Sequence, residues 1–131
     1  EHALRCGQTQ DTALALVATG FGYEADRRAA QAELLTKLLP NVRDIRRIGA
    51  AALDLCRVAE GTVDAYFEHG INAWDFAAGA IIAREAGAVV RHPGFDKGSA
   101  DGELTWAAGA DLAPAFEKLL AAHRATDALR G

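Results

Sequence analysis

The chain has 131 residues, 50% apolar and 24% charged, a composition typical of one compact globular domain and not of a disordered segment. A formal net charge of −4 without a long basic run argues against a nucleic-acid-binding protein. No apolar run approaches the roughly 20 residues that a membrane-spanning helix needs, so the sequence predicts no membrane partner.

The chain starts at Glu1 and contains no Met, which indicates that it begins partway through a gene product or has been processed. Its two cysteines, Cys6 and Cys56, lie far apart and lack the spacing of a metal-binding pair. Reduced thiols in a cytoplasmic protein are the preferred interpretation, and a disulfide is the alternative.

Predicted strands and helices alternate from the start of the chain. The apolar run over 12–19 predicts a buried strand that ends at Gly20. Helical spacing of leucines then predicts a helix over 23–39, which Pro40 ends. An alternating segment over 42–48 predicts a second strand.

Glycines separate the elements that follow. Gly49 ends the second strand, and Gly61 is the stop signal of a helix predicted over 50–60. The remaining elements, in chain order, are a strand over 63–68, a helix over 73–85, a strand over 88–90, a loop over 92–102, a strand over 104–108 and a helix over 112–123. This alternation predicts an α/β fold in which helices cover a mostly parallel sheet.

The helix predicted over 73–85 carries unusually small residues. Ala77 to Ala80 have almost no side chain, so another element can approach the helix closely there. We expect its apolar face to be formed by four residues: Trp74, Ala78, Ile81 and Ile82.

Asp75 lies at the head of this apolar helix. A carboxylate in the first helical turn interacts favourably with unpaired backbone N–H groups, by about 0.3–1 kcal/mol, and taken alone the position favours this reading over a metal ligand. However, Glu68 ends the preceding strand, and Gly49-Ala50-Ala51 forms a similar strand-to-helix junction one unit earlier. Such junctions gather at the ligand-binding edge of an α/β sheet, and small residues leave the first helical N–H groups bare.

The segment WDFAAGAIIAREAG, residues 74–87, resembles the second signature of the inositol monophosphatase family, W-D-x-A-A-G-x-x-I-x-x-E-A-G. The resemblance extends through IRRIGAAALDLCRVAEGTVDAYFEHGINAWD before it, ALVATGF further upstream and LTWAAGADL near the end. It therefore covers nearly the whole chain.

This resemblance implies a Mg²⁺-dependent, lithium-sensitive phosphatase of small phosphomonoesters, built from layered helices and sheets. By the family pattern Asp75 ligates a metal and Glu68 contacts a substrate hydroxyl, while the Gly49-Ala50-Ala51 turn touches the substrate largely through its backbone. Ala50 stands where the family usually has Thr or Ser. Relatives act on inositol phosphates, histidinol phosphate, sugar bisphosphates or nucleotide 3′-phosphates, and the substrate stays open among these classes.

The family's other signature, D-P-[IL]-D-G-T, does not occur in the chain. It brings two metal-binding aspartates and a threonine that helps to orient the attacking water, so we assign no catalytic residue here. We expect residues 1–131 to form the C-terminal half of the sugar-phosphatase-like fold, with the N-terminal metal-binding half as a partner. Asp75 alone cannot assemble a two-metal site, and we expect the isolated chain to be inactive or nearly so.

Several further residues are assigned by position. The histidines are scattered, which favours surface or loop positions, although His69 could line the site beside Glu68. Arg46 and Arg47 fit either a homodimer contact or a solvated strand, and Trp106 and Phe116 are expected in the core. The alternative function is a non-catalytic interaction or dimerisation domain that retains the family fold; an unrelated small α/β binding domain is the third possibility.

Overall fold

A computed structural model describes residues 4–129 of the chain. Its strands are β1 (Leu16–Thr19), β2 (Asp44–Arg46), β3 (Ala65–His69), β4 (Ala88–Arg91) and β5 (Leu104–Gly109). Its α-helices are α1 (Ala25–Leu38), α2 (Ala51–Glu60), α3 (Ala73–Glu85) and α4 (Ala113–Ala122). Each predicted helix and strand has a counterpart here, although Thr12–Leu14 forms a short 3-10 helix before β1 and is not part of the strand.

The strands form one sheet in the order β2-β1-β3-β5-β4. β1 lies parallel to both β2 and β3, whereas β5 runs antiparallel to its neighbours β3 and β4. Four strands therefore point the same way, and the predicted mostly parallel α/β sheet is confirmed. The register places Glu68 of β3 directly opposite Thr105 of β5.

Helices cover both faces of the sheet and make a three-layer domain. On one face, α1 and α4 bury Leu34, Leu38 and Phe116 against Phe67 and Trp106 of the strands. Trp106 packs edge-on against Phe116, with 5.9 Å between the ring centroids. Both aromatic residues are core residues, as predicted.

On the other face, α2 and α3 bury a second apolar cluster against the sheet, which includes Leu55, Phe76 and Tyr66. The two helices approach closely at Gly79, where an added Cβ would lie 2.8 Å from Leu55 Cβ. The prediction that small residues let another element approach α3 is therefore confirmed. α2 ends where Gly61 adopts φ +79°, a left-handed conformation that suits glycine.

The prediction of which residues form the buried apolar face of α3 is wrong. Trp74 is 81% exposed, and Ala78, Ile81 and Ile82 are exposed as well. The buried face of α3 consists instead of Phe76, Gly79, Ala80 and Ala83. The apolar residues of α3 are distributed around the whole helix. The buried side is therefore the one whose small residues permit close contact with α2.

Two further observations concern the described residues. Cys6 and Cys56 are both free thiols. Within residues 4–129, no helix is long and apolar enough to cross a membrane.

Candidate functional site

The carboxyl ends of β1, β2 and β3 meet at one edge of the sheet, because these strands are parallel neighbours. A cleft of about 430 Å³ opens at this edge. Its walls come from residues within 20–23 after β1, 47–52 after β2 and 68–75 at the end of β3. All five predicted site residues line this one cleft: Gly49, Ala50, Ala51, Glu68 and Asp75.

The turn between β2 and α2 leaves the start of the helix bare. Gly49 has φ +93°, in the left-handed region that favours glycine. Ala50 is the N-cap residue and has no side-chain group that could accept a hydrogen bond from the first helical amides. Because Ala51 and Ala52 line the cleft, this end of α2 supplies amide donors for an anionic or hydroxylated ligand.

Asp75 lies in the first turn of α3, where its Oδ2 accepts a 3.3 Å hydrogen bond from the Asn72 backbone N–H. The side-chain oxygen of Asn72 accepts a 2.7 Å hydrogen bond from the Ser99 N–H, which ties the 92–102 loop to the cleft. Asp75 thus stabilises the helix start while its side chain also borders the cleft. Asp75 can therefore stabilise the start of α3 and also contact a ligand in the cleft.

Glu68 is held at the cleft wall from two sides. Its Oε1 accepts a 2.8 Å hydrogen bond from the Tyr66 hydroxyl, and an added Cβ on Gly20 would lie 2.5 Å from the same oxygen. Burial raises the pKa of the Glu68 carboxyl, although the Tyr66 hydrogen bond and the Arg47 charge oppose the rise. Glu68 is therefore a partly desolvated acceptor that a ligand hydroxyl can reach from the cleft.

The sequence patterns did not single out Asp54, which lies in the first turn of α2 and does not line the cleft. The residue is 0% exposed, and neither carboxyl oxygen has a hydrogen-bond partner among residues 4–129. Burial, and next the nearby charge of Glu68, raise the pKa of Asp54 to about 7, while Arg47 acts in the opposite direction. One signal was available, because Asp54 shares its helical face with Val58, one turn later.

His69 corrects the expectation that the histidines lie on the surface or in loops. It borders the cleft, but its side chain is only 2% exposed. Its Nε2 lies 2.6 Å from the Ala125 carbonyl oxygen, and burial lowers the pKa of the imidazole. This histidine connects β3 to the C-terminal segment after α4.

One residue of the cleft has the chemistry of a divalent-metal ligand. The Asp75 carboxylate is a hard oxygen donor of the kind that Mg²⁺ prefers, so it fits as one ligand. Among residues 4–129, however, no group of three or more His, Cys, Asp or Glu side chains is placed to hold a metal ion. The described residues therefore fit a divalent metal through one carboxylate and do not complete a metal site among themselves.

Residues 1–128 match the model of the inositol monophosphatase family. An inositol-1-monophosphatase from Mycobacterium leprae is 60% identical over 92 residues, which are 70% of this chain and 32% of that protein. A protein named Nus factor SuhB, from Pasteurella multocida, is 47% identical over 88 residues, 66% of this chain and 33% of the relative.

The solved structure of Mycobacterium tuberculosis SuhB has the same fold. It superposes with a TM-score of 0.85 at 46% identity, over 96% of this chain and 49% of that one. This chain therefore spans about half the length of that solved relative.

Proposed function

Since the chain belongs to the inositol monophosphatase family, we propose that it forms the C-terminal half of a Mg²⁺-dependent phosphatase. Its substrates are small phosphorylated polyols or sugars such as inositol 1-phosphate. One observation carries the proposal: the turn at 49–51, Glu68 and Asp75 come from separate segments yet line one cleft at the carboxyl edge of the sheet.

Each residue then has a defined role. Asp75 holds one metal ion, and bound Mg²⁺ supplies charge stabilisation to the phosphoryl group and an activated water. Glu68 accepts a hydrogen bond from a substrate hydroxyl, which orients the polyol in the cleft. The backbone amides of the N-cap residue Ala50 and of Ala51, the first residue of α2, donate to substrate oxygens from the turn that Gly49 permits.

The N-terminal half of the same protein is the proposed partner. Leu53 of α2 and Trp74 and Ile81 of α3 are 52%, 81% and 59% exposed, so these two helices expose large apolar side chains that a partner could cover. The solved relative is about twice as long as this chain, so it contains enough further protein to cover such a surface. This half would also bring the missing metal-binding carboxylates.

A homodimer and a cytoplasmic location complete the proposal. Arg46 and Arg47 are exposed at the end of the edge strand β2, where a second copy could reach them. The free thiols of Cys6 and Cys56 accord with a reducing compartment.

The test measures phosphate release from inositol 1-phosphate by the purified chain, alone and with the N-terminal half, with and without Mg²⁺. We expect Mg²⁺-dependent turnover only when both halves are present, and loss of that turnover in Asp75→Asn. The matched control is Asp26→Asn, since Asp26 also lies in a first helical turn but is exposed on α1. Turnover by the pure chain alone would contradict the half-site, and inactivity of the complemented pair would contradict the phosphatase.

The second candidate is a non-catalytic interaction domain that retains the family fold. The exposed apolar surface on α2 and α3 favours it, because such a surface needs a partner whether or not catalysis occurs. Tight binding of the N-terminal half, together with no Mg²⁺ binding that depends on Asp75, would favour this function over the first.

A further inference from the structure

Asp54 occupies a position in which a charged carboxylate is very unfavourable. It lies in the first turn of α2, is completely buried, and has no hydrogen-bond partner for either oxygen among residues 4–129. An ionised carboxyl group there loses its hydration and gains no donor in exchange. Burial of this kind favours the protonated acid.

Four segments other than α2 place polar and charged groups on this side of the sheet, and of these groups Glu68 and Arg47 act on the charge of Asp54. Tyr66 and Glu68 belong to β3, and Thr105 lies opposite Glu68 on β5 with its buried hydroxyl unpartnered among the described residues. Arg47 is the cation that acts on Asp54, but its side chain is exposed and lies over the Phe21 ring, 5.8 Å from the centroid. On α3, Asp75 adds negative charge that acts on both Tyr66 and Glu68.

The two carboxyl groups of this cluster differ in what stabilises their charge. Glu68 is partly exposed to the cleft and receives the Tyr66 hydrogen bond of 2.8 Å. Asp54 has neither advantage. Two interacting carboxyl groups do not ionise independently, and the negative charge resides on the group that is better solvated and hydrogen-bonded.

We propose that Asp54 is a positioning residue that carries the proton of this carboxyl pair and thereby keeps the negative charge on Glu68. The consequence for a substrate rests on the proposed function, in which Glu68 accepts a hydrogen bond from a substrate hydroxyl. An ionised Glu68 is the stronger acceptor. Asp54 acts through Glu68 and does not itself line the cleft.

The test is a titration of the carboxyl carbons by carbon-13 NMR, on the wild-type chain and on Glu68→Gln, from about pH 4 to about pH 9. We expect Asp54 to be neutral and Glu68 ionised at about pH 6. In Glu68→Gln we expect the Asp54 midpoint to fall by about half a pH unit or more, because the neighbouring charge is gone.

Three results would overturn the inference: an ionised Asp54 at about pH 6, a proton on Glu68 in its place, or an Asp54 midpoint that Glu68→Gln does not move. The measurement uses no substrate, metal or Asp54 variant. A failed phosphatase assay therefore leaves it intact, and a failed titration leaves the phosphatase proposal intact.

Discussion

The Tyr66 hydroxyl donates a 2.8 Å hydrogen bond to Glu68 Oε1, from two residues earlier on the same strand. Residues two apart on a strand point to the same face, so the regular geometry of β3 brings the phenol to the carboxylate. Tyr66 is completely buried, and burial and the Glu68 charge raise its pKa well above the usual value. The phenol therefore remains a donor throughout the physiological pH range.

Removing this donor should weaken the acceptor. In Tyr66→Phe we expect the pKa of Glu68 to rise further, because the hydrogen bond lowers it in the wild-type chain. We also expect the free energy of unfolding to fall by about 1.5–3 kcal/mol, the usual range for a hydrogen bond to a charged group. Carbon-13 titration and urea denaturation measure the two effects. Tyr23→Phe is the control, since Tyr23 is 98% exposed, and an equal change there would contradict the prediction.

Gly20 leaves the space that the Glu68 carboxylate occupies. A methyl group in Gly20→Ala would lie 2.5 Å from Glu68 Oε1, so the flexible end of Glu68 must move. When Gly20→Ala is combined with the N-terminal half, we expect its KM for inositol 1-phosphate to be about 10-fold or more above that of the wild type. We expect little change in the unfolding temperature. Steady-state kinetics and thermal denaturation check both parts.

The matched control for Gly20→Ala is Gly94→Ala. Its added methyl group would also lie 2.5 Å from a carboxyl oxygen, but that oxygen belongs to the exposed Asp96, outside the cleft. An equal KM increase in both variants would show that Glu68 is not responsible.

Close packing of α2 on α3 makes Gly79 sensitive to substitution. In Gly79→Ala the new methyl group would lie within 2.9 Å of two side-chain atoms of Leu55. We expect a loss of about 1–2 kcal/mol in the free energy of unfolding, since overpacking outweighs the better helix propensity of alanine. Urea denaturation measures it. Ala78→Leu adds more bulk on the exposed side of α3 and should have little effect, so equal destabilisation would argue against a specific contact.

The buried acid predicts a pH dependence of stability. The pKa of Asp54 is raised to about 7 in the folded chain, above the usual 3.8. The contribution of protonated Asp54 to the free energy of unfolding is therefore fully present below about pH 4 and is lost as the pH rises through about 7. The free energy of unfolding falls by an amount on the order of 4 kcal/mol over this pH range. The lowered pKa of His69 acts oppositely, because stability then falls with protonation at lower pH.

Comparison with Asp54→Asn isolates the Asp54 contribution, because His69 is present in both chains. We expect the difference in unfolding free energy between variant and wild type to favour the variant increasingly between about pH 4 and about pH 8. Urea denaturation at several pH values measures that difference. A difference that stays constant with pH would contradict a buried Asp54 with a raised pKa.

The order of the elements was predictable because glycines and Pro40 mark their ends. The cleft residues were found by family resemblance and by the rule that parallel strands present ligands at their carboxyl ends. The spacing of apolar residues did not predict the buried face of α3, because apolar residues occur on every side of this helix. The close contact between Gly79 and Leu55 determines which side packs. The burial of Asp54 and His69 depends on partners distant in sequence, such as Ala125, and local patterns carry little information about such contacts.

The first backbone amides of α2 have no side-chain cap, so the same N–H groups that a capping residue would satisfy are available to a ligand. With Ala50 as N-cap, the first N–H groups lack a side-chain acceptor, whereas a serine there would occupy one of them and compete with an incoming oxyanion. A bound anion would therefore act as the missing cap, and we expect occupancy of the cleft to raise the melting temperature of the chain. The absence of a hydroxyl at Ala50, which lowers the stability of the empty protein, should increase the stabilisation that an anionic ligand gives.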